Sequence, residues 1–182
     1  TEGEIMADDV RGRLDISEEL YMEITRRKTA ELFAAACALP ALFKPATLHL
    51  TDELLDFGRD LGLCFQLIDD MLDFTSNRSR LGKPVLADLR EGRVTLPIIL
   101  LLPRLDPGQR ARMRSVVNTG EFIQISESEV LEIVRTSGVL DEVQERATNF
   151  AARAVSHLQC LPSGPERDAL ANATSLLVDR EV

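Results

Sequence analysis

Residues 62–84 read GLCFQLIDDMLDFTSNRSRLGKP, and they place three carboxylates, Asp69, Asp70 and Asp73, inside a run that otherwise has the composition of buried core. Isolated carboxylates are costly to bury, and like charges at i and i+4, such as Asp69 and Asp73, oppose helix formation by about 0.2–0.5 kcal/mol. A helical reading separates the two demands. Leu61, Phe65, Ile68 and Leu72 form one apolar stripe, and Cys64, Leu67, Met71 and Phe74 form a second beside it. The remaining polar positions, Arg59, Gln66, Asp69, Asp70 and Asp73, recur at helical spacing as one wet seam, with Gly62 leaving room along it. Such a helix should be buried on most sides and open on one strip to a cavity.

The rest of the chain follows the same period. No stretch of strict alternation bounded by turn residues occurs, whereas 3.6-residue apolar patterns cover most of the sequence, so the expected fold class is all-α. A first long helix can start at Asp15 to Ser17, with Leu20, Ile24, Leu32 and Ala35 on one face and Pro40 marking its end. Thr51 is the expected N-cap of the carboxylate helix, which should reach about Thr75. Residues 76–93 are basic and punctuated by Gly and Pro, with room for one short helix. TLPIILLL, residues 95–102, reads as a fully buried helix, with Pro97 in its first turn and Pro103 and Pro107 closing it. Ser126 and Glu129 make a capping-box pattern, Gly138 separates that helix from a longer one running to about Leu161, and a last helix begins near Pro165. Without an internal repeat or a credible linker, residues 1–182 are read as a single domain.

Composition narrows the function classes. A chain that is 45% hydrophobic and 28% charged is an ordinary globular one, and a formal net charge of −9 argues against a nucleic-acid surface. The longest apolar run, Val94 to Pro103, is far shorter than the ~20 residues of a membrane-spanning helix. The start, TEGEIMADD, lacks a signal-peptide pattern, so a soluble cytoplasmic protein is expected. Cys37, Cys64 and Cys160 are odd in number and sit in apolar sequence, as core thiols do. With no histidine near the acids, hard oxygen ligands and incomplete protein coordination point to Mg²⁺, which keeps waters and takes phosphate oxygens. Asp69 and Asp73, one turn apart, can approach one ion, and Asp70 is offset to a neighbouring ion or its waters. Lys28, between Ile24 and Leu32 on an apolar face, and Lys83, just beyond the carboxylate helix, supply cations that could complete a pyrophosphate clamp. Arg78, Arg80, Arg90 and Arg93 surround Lys83, and most of these arginines read as a basic surface loop.

FQLIDDMLD, residues 65–73, followed by GKP and ADLREGRVTLP, resembles the second aspartate-rich region of trans-polyprenyl diphosphate synthases. Gly3 and Glu4, and RKTAELFAAAC at residues 27–37, are similar to that family in order and spacing. The resemblance implies an antiparallel helical bundle of the isoprenoid synthase type. It implies Mg²⁺ on Asp69, Asp70 and Asp73, gripping an allylic diphosphate contacted by Lys28 and Lys83. Thr29 and Gln66 would lie beside the developing allylic cation, Phe65 would adjoin the isopentenyl diphosphate pocket, and Arg93 stands where the family often has a basic residue. The reaction implied is head-to-tail condensation of isopentenyl diphosphate with an allylic diphosphate, in a homodimer. The family's first aspartate-rich motif and upstream basic cluster do not occur in these residues, and Asp8, Asp9 and Asp15 have the wrong spacing for the motif. The chain is therefore expected to be the C-terminal part of a longer enzyme, inactive alone. The rival readings are a non-catalytic partner subunit, a terpene cyclase, disfavoured by 4% aromatic residues and no Trp, and a purely structural bundle.

Overall fold

Ser17 opens the first long helix as its sequence predicts, its hydroxyl accepting the amide of Leu20. The computed structural model describes residues 2–75 and 85–179, and among these residues the regular elements are helices. They are α1 (Glu2–Asp9), α2 (Glu18–Thr25), α3 (Glu31–Leu42), α4 (Thr51–Thr75), α5 (Ala87–Arg90), α6 (Leu96–Leu101), α7 (Pro107–Thr119), α8 (Glu127–Thr136), α9 (Val139–His157) and α10 (Pro165–Val178).

α2 and α3 are one continuous rod joined by a π turn, Arg26–Ala30, in which the Glu31 amide donates to the Arg26 carbonyl five residues back. This turn corrects the expected face. A regular helix would carry the buried side from Ile24 through Lys28 to Leu32 and Ala35. The wider turn carries it from Thr25 to Ala30, and then to Ala34, Ala38 and Ala41. Leu32 ends 72% exposed, and Ala35 is exposed with it. Pro40 does not stop the rod, which closes two residues later at Leu42.

α4 lies at the centre, packed on α3 along one side and on α9 along another. Cys64, Leu67, Ile68, Met71 and Phe74 are fully buried, and share a core with Leu96, Ile98 and Leu101 of α6 and Val139, Val143 and Ala147 of α9. Leu61, Phe65 and Leu72 of the other stripe are only partly buried. The α3 contact is close because α4 presents glycine. A Cβ at Gly58 would lie 2.5 Å from the Phe33 carbonyl oxygen, and one at Gly62 would lie 2.7 Å from Ala30 Cα. Thr51 does not cap α4: a 3₁₀ segment, Pro45–Leu50, runs straight into it, and the Thr51 hydroxyl donates to the Leu48 carbonyl.

Three further corrections concern helix ends. α1 forms where no helix was assigned. Pro107 does not close α6 but occupies the first turn of α7, which the sequence reading lacked. Asp106 accepts the Gln109 amide and Gln109 accepts the Asp106 amide, a reciprocal cap. α6 is not wholly buried either, since Ile99 and Leu100 are partly exposed. Ser126 caps α8 by accepting the Glu129 amide, but the expected box stays half made because the Glu129 side chain pairs with Arg112; Gly138 holds φ +77° between α8 and α9 as predicted.

α4 also buries Asp60, only 3% exposed, against Arg153 at 3.0 Å and His157 at 3.6 Å on α9. Burial raises its carboxyl above the ordinary value despite the Arg153 guanidinium beside it. A carboxyl raised on folding contributes stability that is whole below its unfolded value, about 4, and is lost as pH rises through the folded one. Asp60→Asn should therefore match the natural chain near pH 4 and be the more stable of the two at pH 7 in urea unfolding. Gly58→Ala should lose about 1–2 kcal/mol in the same assay, because clashes with fixed backbone outweigh the gain of about 1 kcal/mol in helix propensity.

Candidate active site

The three aspartates of α4 meet three different environments. Asp69 is exposed and has no hydrogen bond or ion pair among the described residues. Asp70 is 4% exposed: its Oδ2 accepts the Tyr21 hydroxyl at 2.6 Å, and its Oδ1 accepts the Gln66 amide at 2.7 Å. Burial first, and then the negative charge of Asp88, push the Asp70 carboxyl up to about 7. Asp73 is partly buried and turns toward the next segment, where its two oxygens accept the amides of Ala87 at 2.9 Å and Asp88 at 3.1 Å. Burial raises this carboxyl too, against the opposing pull of those amides.

The Asp73 bonds hold a strained turn. Leu86, fully buried, takes the left-handed conformation at φ 59°, and its own amide donates to the Asp73 carbonyl. Asp73 thus acts as the cap that α5 otherwise lacks, since Leu86 at the N-cap position has no side-chain oxygen. The consequence is that Asp88 on α5 faces the acids of α4.

A cavity of about 320 Å³ lies between the α2 and π-turn rod, α4 and residues 88–95. Lys28, Gln66, Asp69, Asp70, Asp88 and Arg93 line its polar side, while Val10, Ile16 and Ile24 contribute apolar wall. Lys28 stands 3.5 Å from Glu4 of α1, and Arg93 pairs with Asp88 at 2.7 Å. Behind the wall, Thr29 donates to Gln66 at 2.9 Å, so that Gln66 bridges Thr29 to Asp70.

Of the residues singled out from sequence, the cavity brings together Lys28, Gln66, Asp69, Asp70 and Arg93. Thr29 stands one hydrogen bond behind, and Asp73 serves the α5 turn. Phe65 packs against Phe33, ring centroids 5.4 Å apart, and does not line the cavity. Lys83, Arg78 and Arg80 lie outside the described residues. Arg90 is drawn away to Glu127 and the Phe122 ring. Sequence reasoning gave no role to Tyr21 or Asp88. Tyr21, the only tyrosine, carries its hydroxyl on the buried side of α2, which was the available signal. Asp88 had none beyond its place in ADLREGR.

The donor set can be tested against a metal. Among the described residues no three Asp, Glu, His or Cys side chains come together as a complete cage. A buried carboxyl raised further by a neighbouring acid, with Asp69 unpaired among the described residues, suits a hard cation that brings its own waters or a ligand's oxygens. Each oxygen of Asp70 and Asp73 that accepts one hydrogen bond retains a second lone pair.

Residues 1–135, from α1 into α8, match the polyprenyl synthetase family, and the chain belongs to that family. Among individual relatives, it is 38% identical over 167 residues to the octaprenyl diphosphate synthase of Escherichia coli, covering 92% of this chain and 51% of that one. It is 37% identical to the all-trans-nonaprenyl-diphosphate synthase (geranyl-diphosphate specific) of Rhodobacter capsulatus, covering 98% of this chain and 54% of that one. The crystal structure of the Caulobacter crescentus polyprenyl synthase complexed with calcium and isoprenyl diphosphate superposes on the whole chain and 55% of its own, with a TM-score of 0.87 at 33% identity. The chain thus spans about half the length of the relatives it matches.

The Tyr21 hydroxyl is the hydrogen bond to Asp70 that comes from another helix. Tyr21→Phe should cost about 1–3 kcal/mol of stability near pH 8, where the carboxylate is ionised, and less near pH 5.5, where it is protonated. Thermal or urea unfolding at the two pH values checks the difference.

Proposed function

We propose that the complete protein is a Mg²⁺-dependent prenyltransferase that condenses isopentenyl diphosphate head-to-tail with an allylic diphosphate to give a polyprenyl diphosphate. The observation that carries this reading is the cavity itself, in which Lys28 and Arg93 face Asp69, Asp70 and Asp88 in a chain of the polyprenyl synthetase family. The relatives are about twice as long, so the activity is proposed for the complete protein, with residues 1–182 by themselves binding diphosphate weakly and not turning over.

Asp69 and Asp70, with Asp73, would hold Mg²⁺, whose charge stabilises the departing diphosphate. Lys28 binds diphosphate oxygens from the π turn, and Lys83 is assigned the same task. Gln66, fixed on one side by Thr29 and on the other by Asp70, presents its amide dipole to the allylic carbon as its bond to the diphosphate oxygen breaks. The isopentenyl double bond then supplies the electron pair of the new carbon–carbon bond, and a proton leaves. Val10, Ile16 and Ile24 keep that side of the cavity dry. Phe65 is assigned to the isopentenyl diphosphate side, and Arg93, paired with Asp88 in the cavity, to binding the substrate diphosphate.

A homodimer accords with the exposed apolar residues Leu32, Leu39 and Phe43 on and beside α3. A cytoplasmic setting accords with three unpaired cysteines. Among the described residues no helix is long and apolar enough to cross a membrane.

Calorimetry with pyrophosphate tests the site in this chain: binding should require Mg²⁺ and weaken in Lys28→Met. Binding that ignores Mg²⁺ would leave a purely structural bundle as the better account. In the complete protein, Asp69→Ala should lower prenyl transfer by roughly 100-fold, and near-normal turnover would remove Asp69 from the metal site.

A further inference from the structure

We propose that Gly3 is a positioning residue: the absence of a side chain there lets α1 sit directly on the π turn, and this seat fixes Lys28 over the cavity. The inference rests on the reading that Lys28 meets the diphosphate. Gly3 is buried, and a Cβ built on it would lie 2.3 Å from the Lys28 nitrogen, 2.6 Å from Lys28 Cα and 2.7 Å from the Arg27 carbonyl carbon. All three are backbone atoms, which cannot rotate aside. Glycine weakens a helix, so the close approach is the physical reason for a glycine at this position.

Two ion pairs tie the same contact, Glu2 to Arg27 at 2.6 Å and Glu4 to Lys28 at 3.5 Å. On its other side the π turn rests on α4, where Gly62 meets Ala30 just as closely. The turn is therefore gripped between two glycines, one from α1 and one from α4. A methyl group at Gly3 must either lift α1 away, taking Glu2 and Glu4 with it, or push the turn against a wall that has no slack. Neither leaves Lys28 held.

A double-mutant cycle separates positioning from mere stability, because a residue that acts through Lys28 loses its effect once Lys28 is gone. Mg²⁺-pyrophosphate is titrated calorimetrically into the natural chain, Gly3→Ala, Lys28→Met and the double variant, with thermal unfolding recorded for each. Gly3→Ala should weaken affinity roughly tenfold when Lys28 is present and less than about twofold in the Lys28→Met background. An equal loss in both backgrounds, or an undiminished affinity in Gly3→Ala while Lys28→Met still weakens binding, overturns the positioning role and leaves the proposed function intact. No Mg²⁺-dependent binding by the natural chain, or no effect of Lys28→Met, overturns that function and the inference with it. Should Gly3→Ala not fold, the pair Glu2→Gln and Glu4→Gln releases α1 without a steric clash. The same non-additivity with Lys28→Met is then expected, and an additive loss counts against the proposal.

Discussion

A carboxylate taken out of water forfeits several kcal/mol of hydration, and α4 does this twice, at Asp60 and at Asp70. The two are answered differently. Asp60 faces α9, whose Arg153 brings positive charge to it and whose His157 stands beside it, with Glu53 on the other side of the imidazole. A countercharge thus comes from within the fold. Among the described residues Asp70 receives only neutral donors, the Tyr21 hydroxyl and the Gln66 amide, and a second acid, Asp88, is brought up beside it. The arrangement of α2, the π turn and residues 85–95 around α4 follows from these contacts. The Tyr21 hydroxyl of α2 satisfies Asp70, Thr29 of the π turn holds the Gln66 that does the same, and Asp88 adds to its negative field.

The π turn sets the geometry on the opposite wall. One wider turn moves the buried face of the rod by a residue, so the small side chains Ala30, Ala34 and Ala38 point at α4, and Leu32 points away. Small residues on α3 and glycines on α4 bring the two backbones together at distances that a Cβ would block. That close approach lets Thr29 reach Gln66, and through it Asp70, while Lys28 sits at the cavity wall. A regular helix at the same place would present either Lys28 to the cavity or alanine to α4, with the other out of phase.

What was legible from sequence were features written in a few neighbouring residues. The serine caps at Ser17 and Ser126, the left-handed Gly138, the extent of α4 and its polar seam are of this kind, and the all-α class follows from their sum. The re-phasing of α3 was not legible, because periodicity assumes a constant number of residues per turn and RRKTA has no composition that marks a wider one. The start of α7 was misread because proline both ends and begins helices, and only the pairing of Asp106 with Gln109 decides between them. Tyr21 and Asp70 are 49 residues apart, and their contact is a product of packing, not of pattern. The second task of Asp73 was not legible, because spacing gives direction to a side chain on its own helix but is blind to what lies beyond the helix end. There its two oxygens accept the amides of the Leu86 turn, a diversion that leaves each a second lone pair.

That diversion of Asp73 bears on how the cavity is charged. By fixing Leu86 and the start of α5, Asp73 carries Asp88 into the wall, and Arg93 comes with it as a partner at 2.7 Å. Lys28 likewise arrives with Glu4 beside it. Arg11, the third cation of the described wall, pairs with Asp8 at 2.7 Å, so all three are already matched by acids, and Asp69 and Asp70 remain without a countercharge among the described residues. An anionic ligand entering such a cavity would meet net repulsion, which at an effective dielectric of about 20 amounts to a few kcal/mol for unit charges 4 Å apart. Under the proposed function, a divalent cation held by these acids would reverse that sign and present positive charge to the ligand. The acid excess that adds to burial in raising the Asp70 carboxyl would therefore, under the proposed function, make diphosphate binding conditional on the metal, with Lys28 and Arg93 exchanging Glu4 and Asp88 for phosphate oxygens.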